Sequence, residues 1–317
     1  MHFAPQPLHI PDGFLSALVS ILFWLLTAVV VGYALRRVGK DLGERQVPMM
    51  GVLAAAIFAG QMLNFSVAGG TSGHLMGAAI ATILLGPWAA MLVMTCVVSV
   101  QALIFQDGGL LVLGANIFNM GVVGVAVSYM AYQTFRKLTR GVKWGLFTGG
   151  FVAAWLSIEA SALLVALQLA VSNVSPANIA LPAMGGVHAL IGIGEGLITV
   201  GALAFLYRTR PDLIGAAAAA PIRGRVVWAF GLLVVLGLAI ASPLASSNPD
   251  GLEWVAEQQG FLQAARTPLF SLIPDYVLPG VSNQALATIL AGVLGALIVF
   301  GVTLLVAYNR RARRATD

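Results

Sequence analysis

GFLSALVSILFWLLTAVVVGYALR, residues 13–36, carries no charge before its final Arg36. A run of this length and texture meets the roughly 20 apolar residues that one helix needs to cross the hydrocarbon core of a bilayer. The same texture recurs at 47–64, 74–86, 88–105, 110–135, 144–171, 185–208, 225–244 and 284–308. Over all 317 residues, 59% are hydrophobic and only 9% charged, against about 25% charged in an ordinary soluble domain. The fold class predicted is all-α: a polytopic helical membrane protein with seven spans followed by a two-span C-terminal hairpin. Water-soluble folds and nucleic-acid binders are excluded by the same composition, despite a net charge of +5. The run at 74–86 is too short to cross as a straight helix, so it is expected to be tilted, buried against its neighbours or part of a re-entrant element.

The basic residues set an orientation. Arg36, Arg37, Lys40 and Arg45 form one group; Arg136, Lys137, Arg140 and Lys143 a second; Arg208, Arg210, Arg223 and Arg225 a third; Arg310, Arg311, Arg313 and Arg314 a fourth. Alternating spans place all four on one side, and only Arg266 falls on the other. The positive-inside rule then gives N-out, C-in in the cell inner (plasma) membrane. No positively charged n-region precedes the first run and no small-residue cleavage site follows it, so it reads as a retained span. Cys96 is alone and forms no intrachain disulfide.

The chain has a seam. RTRPDLIGAAAAAPIRGR, 208–225, is rich in Ala, Pro and Arg and reads as a cytoplasmic linker, which divides the chain into 1–208, 209–224 and 225–317. In the last part, NPDGLEWVAEQQGF lies between the two spans. There Asp250 is expected to cap a short helix with Glu253 three residues on, as a capping box.

Polar residues inside spans are costly and mark function. GQMLNFSVAGGTSGHLMGA, 60–78, places Gln61, Asn64, Ser66, Thr71, Ser72 and His74 at one mouth of the bundle. QALIFQDGG, 101–109, and GANIFNMG, 114–121, make a second, and GGVHALIGIGEGL, 185–197, adds His188 and Glu195. By the orientation above, the N-terminal leader, His74, Asp107 and His188 converge near the outer face. His74, at a helix start, stays neutral against the helix dipole, and neutral imidazole is the form that ligates metals. His2 and His9 lie ahead of the first span, where Pro11 fixes a turn and Asp12 is expected to cap that span. A His at position two offers a terminal amine, its own amide nitrogen and an imidazole nitrogen in fused chelate rings; an imidazole from His74 would complete four nitrogens, a set suited to Ni(II) or Cu(II). Met1-His2 meets that requirement as written. Glu195, among Gly192, Gly194 and Gly196, reads as a helix-packing lock or a point on a transport path, and Glu159 is similar. Asp107-Gly108-Gly109 reads as a turn. Asn116 and Asn119 share a helix face and are expected to reach the loop at 61–72 and fix the walls of the site, or to join helices.

HIPDGFLS, GGTSGHLMGAAIATILLGPW, QALIFQDGGLLVLGANIFNMGVVG and HALIGIGEGLIT closely resemble the CbiM/NikM family, the substrate-capture components of energy-coupling-factor transporters for cobalt and nickel. The resemblance covers residues 9–208, and PDGLEWVAEQQGF is similar to the small two-span N-type partner of that family, here fused behind it. It implies import of Co(II) or Ni(II) as substrate, no permanently bound cofactor and no catalysis. It also implies a T-type transmembrane coupling subunit and two ABC ATPases on separate chains; this chain has no P-loop motif. Stripes of small residues, Ala54, Ala55, Ala56, Ala59 and Gly60, with Gly77, Ala78, Ala79 and Ala81, are expected to contact the coupling subunit. The family's site uses the first residue's amine, the His of residue two and the His of SGH, which maps to His74. The family's opening Met-His aligns with Leu8-His9, so either His9 is the ligand after a start at Leu8, or Met1 and His2 reach the site from the seven-residue extension while His9 is displaced or adds a fifth ligand. Three rivals stand beside this reading: an intramembrane serine protease with Ser72 as nucleophile and His188 as base, a passive metal channel, and a vitamin-binding capture component.

Overall fold

The computed structural model describes residues 9–41, 46–214, 224–268 and 270–314. Met1, His2 and most of the expected linker, 215–223, lie outside these residues. Helix α1 (Ala17–Asp41) starts where the Ser16 hydroxyl accepts the Val19 N–H, a serine N-cap. After α2 (Gln46–Gln61) comes an antiparallel hairpin of β1 (Phe65–Val67) and β2 (Thr71–Gly73), with Ser66 opposite Ser72. Next are α3 (Ala78–Leu85) and α4 (Pro87–Val100), the latter continued by a π-helical turn to Phe105. Helices α5 (Leu113–Ile117) and α6 (Gly124–Leu138) form one rod through a π-helical segment, Phe118–Val123. The long pair α7 (Lys143–Val171) and α8 (Ala177–Thr209) completes the first part. The C-terminal part holds α9 (Gly224–Ala241), α10 (Gly251–Gln258) and α11 (Gln284–Arg314).

Among the described residues, six helical stretches are long and apolar enough to cross a membrane: Ala17–Val38, Pro87–Phe105, Leu113–Leu138, Lys143–Val171, Ala177–Thr209 and Gln284–Arg311. Helix α8 begins at Ala177, well before the expected 185, and carries Pro182 inside it, which removes one backbone hydrogen bond. The short run at 74–86 yields only the eight residues of α3, about 12 Å of helix, whereas the 19 residues of Pro87–Phe105 extend about 28 Å. Helix α3 ends and α4 begins at the same turn, Gly86. The segment preceding α3, which carries His74, is therefore recessed in the bundle relative to the far end of α4.

The C-terminal part is docked on the first. Gly51 of α2 sits against Phe300 and Leu304 of α11, Gly231 of α9 sits against Val52, and Gly295 of α11 lies under the Phe58 ring. Small residues permit this close approach. This overturns one expectation: Ala54, Ala55, Ala59 and Gly60, with Gly77, Ala78, Ala79 and Ala81, are buried within the chain. Their stripes serve internal packing, so they do not form a free surface for another subunit.

Glu195 is fully buried on α8, and its two carboxylate oxygens accept the N–H groups of Met76 (2.8 Å) and Gly77 (2.9 Å). Those donors would otherwise be orphaned at the start of α3. Trp155 of α7 lies over Gly192, and Phe65 of β1 over Gly194, so the glycines around Glu195 let the hairpin and α7 close in. Glu195 thus fixes the backbone two residues beyond His74. Truncating it leaves two buried N–H groups unpaired, at about 1–3 kcal/mol each. Glu195→Ala is expected to lower stability by roughly 3 kcal/mol, read from thermal unfolding of the detergent-solubilised chain.

Candidate metal centre

The leader is held by side chains more than ninety residues away. Asp107 Oδ1 accepts the His9 backbone N–H (3.2 Å) and pairs with His9 Nδ1 (2.9 Å), while Oδ2 accepts the Tyr276 hydroxyl. Asp107 is therefore far more than part of a turn: buried at 2% exposure, it fixes the His9 ring. With Nδ1–H donated to Asp107, the His9 Nε2 bears the lone pair; it is buried and has no hydrogen-bond partner. One residue on, Asn116 pairs with the main chain of Ile10, its amide donating to the Ile10 carbonyl and its oxygen accepting the Ile10 N–H, both at 3.1 Å. The expected reach of Asn116 to the 61–72 loop is thus corrected. Asn119 does not bond to that loop either: it forms a reciprocal amide pair with Gln168 of α7 (2.8 and 2.9 Å). Nothing in the sequence singled out Gln168.

Asp12 also departs from expectation. Its carboxylate accepts the N–H groups of Leu110, Leu111 and Val112, so it holds the loop that leads into α5 instead of capping its own helix. A Cβ at Gly109 would lie 2.1 Å from Asp12 Oδ1, so only glycine allows the loop to wrap this carboxylate.

The second wall is the β-hairpin. The Ser72 N–H donates to the Pro249 carbonyl (2.8 Å), Asn64 O accepts the Ser246 N–H (2.8 Å), and Ser72 forms a parallel bridge with Asp250. The segment leading into α10 is thereby tied to the hairpin by main-chain hydrogen bonds and a single β-bridge. The Ser72 hydroxyl donates to the Asn248 carbonyl at 2.9 Å, so it is occupied with main chain. The Asn64 side chain is buried with neither amide atom partnered. Immediately after β2, His74 Nδ1 meets the Leu75 carbonyl (3.1 Å) and its Nε2 stands 4.0 Å from Asp250 Oδ1. His188 Nδ1 meets the Met184 carbonyl at 2.8 Å. Of the expected capping box only half forms: Glu253 accepts the Asp250 backbone N–H, but the Asp250 side chain makes no bond to its own helix. Burial first, then the charges of Glu257 and Asp250, push Glu253 up to about 7.

His9, His74, His188, Asp250, Asn116 and Asn119 line one cavity of about 80 Å³. The His9 and His74 ring centroids are 5.9 Å apart. Two imidazoles on one first-row ion, with metal–nitrogen bonds of about 2.1 Å, have centroids up to about 6.4 Å apart, so this spacing suits a shared ion. Among the described residues, however, no three His, Cys, Asp or Glu side chains are grouped tightly enough to hold a metal by themselves. Burial draws the His9 imidazole down, but the Asp107 carboxylate, by charge and hydrogen bonds, and the charge of Asp250 outweigh it and hold the pKa above its usual value. The sequence-expected residues His9, His74, His188, Asn116 and Asn119 are thus brought together. Glu195 acts from behind through the backbone, Asn64 and Ser72 lie in the hairpin wall, and Asp107, Asp250 and Gln168 join them. At His9, amide nitrogen and Nδ1 both turn to Asp107, so the fused-ring chelate is not the arrangement there; only Nε2 is offered to the cavity.

Residues 9–213 match the CbiM family, described as the cobalt uptake substrate-specific transmembrane region, and residues 224–311 match the PDGLE domain. The chain is similar to a putative fused nickel transport protein NikMN of Archaeoglobus fulgidus, 37% identical with 97% of this chain and 100% of that one covered. It is similar also to the fused nickel transport protein NikMN of Rhodobacter capsulatus, 33% identical with 97% and 100% covered. A crystal structure of a truncated transition metal transporter superposes with a TM-score of 0.58 at 31% identity, covering 64% of this chain and 99% of that one. The chain therefore belongs to the CbiM family, with a PDGLE domain joined behind it.

Proposed function

We propose that this chain captures Co(II) or Ni(II) at the outer face of the cell inner membrane and mediates its import as the substrate-specific component of an energy-coupling-factor transporter. The observation that carries the reading is the facing pair of imidazoles, buried His9 and half-buried His74, with His9 Nε2 directed into no protein partner while its other ring nitrogen is fixed by Asp107. A carboxylate behind a histidine sets its tautomer and raises its basicity as a ligand. Met1 and His2, the other candidate donors, lie outside the described residues. The four basic groups face the cytoplasm in this reading. A T-type coupling subunit and two ABC ATPases provide the energy. The Ser72 hydroxyl, donated to main-chain carbonyls, gives a Ser72–His188 protease no support.

Calorimetric titration of the detergent-purified chain with Ni(II), repeated with Co(II) as competitor, tests this. His74→Ala and His9→Ala are each expected to weaken binding by more than about a hundredfold, beyond the range of outer-shell partners. Unchanged affinity in both variants would sink the reading. Uptake into vesicles that proceeds without ATP and without other subunits would favour a channel instead.

Imidazole must shed its proton to ligate. Because neighbouring carboxylates hold the His9 pKa above its usual value, protons compete at a higher pH than with free imidazole, and affinity falls as pH drops through that raised value. Asp107→Asn removes the charge, so the onset of acid loss is expected to move to lower pH, while affinity at pH 8 drops by about tenfold as the ring loses its orienting partner. Titrations from pH 8 to pH 5 read both effects.

A further inference from the structure

Asp250 occupies the N-cap position of α10, with extended backbone (φ −66°, ψ 162°), yet its carboxylate makes no capping bond. An N-cap Asp ordinarily accepts an N–H from the first turn. Here Oδ1 is buried, unpartnered in hydrogen bonding and aimed instead at His74 Nε2, 4.0 Å away. His74 Nδ1 faces the Leu75 carbonyl, which makes it the protonated nitrogen and leaves the lone pair on Nε2. A carboxylate oxygen and an imidazole lone pair thus confront one another, an arrangement that is stable only with a cation or proton shared between them. First-row divalent ions bind both nitrogen and carboxylate oxygen at about 2.0–2.2 Å, so two ligands of one ion stand at most about 4.2 Å apart. The observed 4.0 Å falls within that limit.

The backbone around Asp250 is built to hold this position. Ser72 bridges to Asp250, the Ser72 N–H and the Thr71 hydroxyl donate to the Pro249 carbonyl (2.8 and 3.1 Å), and the Ser72 hydroxyl donates to Asn248. Those contacts lie two and three residues before His74, so the two facing groups share one rigid strand assembly. The next residue is Gly251, where a Cβ would come within 3.0 Å of the His188 ring and 2.7 Å of Ile191. Only glycine lets α10 begin this close to α8.

We propose that Asp250, contributed by the C-terminal PDGLE domain, is a ligand of the transported cation, placed opposite His74 so that the C-terminal domain closes the capture site. The assignment rests on the metal-capture reading above and adds an anionic oxygen to its nitrogen donors. His74 and Asp250 flank the ion, with His9 Nε2 across the same cavity. Withdrawal of residues 246–250 from the hairpin edge would remove one ligand and open the cavity in a single movement.

The test uses the full chain in detergent. Asp250→Asn keeps the volume and breaks no side-chain hydrogen bond. It is expected to weaken Ni(II) affinity by at least roughly tenfold, the lower end of what even outer-shell carboxylates contribute, with unchanged thermal stability in metal-free buffer. The second readout is the visible absorption of the Co(II)-loaded protein at saturation, which reports the ligand set directly. Replacing a coordinated carboxylate by an amide should shift the bands, whereas loss of a mere countercharge should not. A Co(II) spectrum superimposable on that of the unaltered chain, or undiminished Ni(II) affinity, would overturn the role of Asp250 while His74→Ala still tests the capture reading. If His74→Ala and His9→Ala also bind like the unaltered chain, capture itself is wrong.

Discussion

A buried carboxylate is tolerated only when its oxygens find donors, and Asp107 finds them on two remote stretches of chain. Its Oδ1 takes the amide and ring nitrogens of His9, and its Oδ2 takes the Tyr276 hydroxyl. Tyr276 belongs to the C-terminal part and stacks on Phe105 at 4.8 Å and 12° between ring planes. Its backbone is left-handed (φ 57°), as is that of Asp275 before it (φ 51°), a strain on the order of 1–3 kcal/mol per residue. Such strain persists only where surrounding contacts over-determine it, and the stacked ring and the bond to Asp107 are those contacts. One carboxylate therefore couples the leader, the loop after α4 and the C-terminal domain. Detaching any one of them leaves charge buried and unpaired, the expensive way to break such a network.

The parts of this arrangement that are periodic were legible in the sequence. Apolar runs show up by composition, and the inadequate length of 74–86 already signalled an element other than a simple span. What escaped is side chain to main chain contact at long range. Asp107-Gly108-Gly109 has the composition of a turn, and no pattern within it tells that an amide 98 residues earlier will dock there. Asn116 reads Ile10 through the backbone alone, so the identity of residue 10 carries no trace of the pairing. Asp12 has every local feature of a cap for α1, but Ser16 performs that task, freeing Asp12 for the loop at 110–112. The capping box at Asp250 was half right for a similar reason: local sequence names groups able to cap, and tertiary approach decides whether something else claims them. The histidines were legible because so few occur in so apolar a chain, and each had to answer for its cost.

A capture site for cargo must satisfy two demands that a structural metal site does not face. It must bind tightly enough to select the ion, and it must be dismantled on every cycle. Ligands fixed on the rigid faces of neighbouring helices meet the first demand and fail the second. In the site proposed here, the donors come from a leader, a strand end and the C-terminal domain, each tethered by main-chain hydrogen bonds instead of by helix packing. His9 hangs from Asp107, with Ile10 beside it held by Asn116; His74 lies between a three-residue strand and the Met76–Gly77 backbone anchored by Glu195; Asp250 is bridged to that same strand. A main-chain bridge of this kind is the apt joint, since it fixes position through the backbone and leaves the side chains free to ligate. It is also short: breaking a few hydrogen bonds of about 1 kcal/mol net each releases the segment without disturbing the packing of α2 against α9 and α11. The fused C-terminal domain can therefore stay docked on the bundle through its helices while the loop between them completes or opens the site.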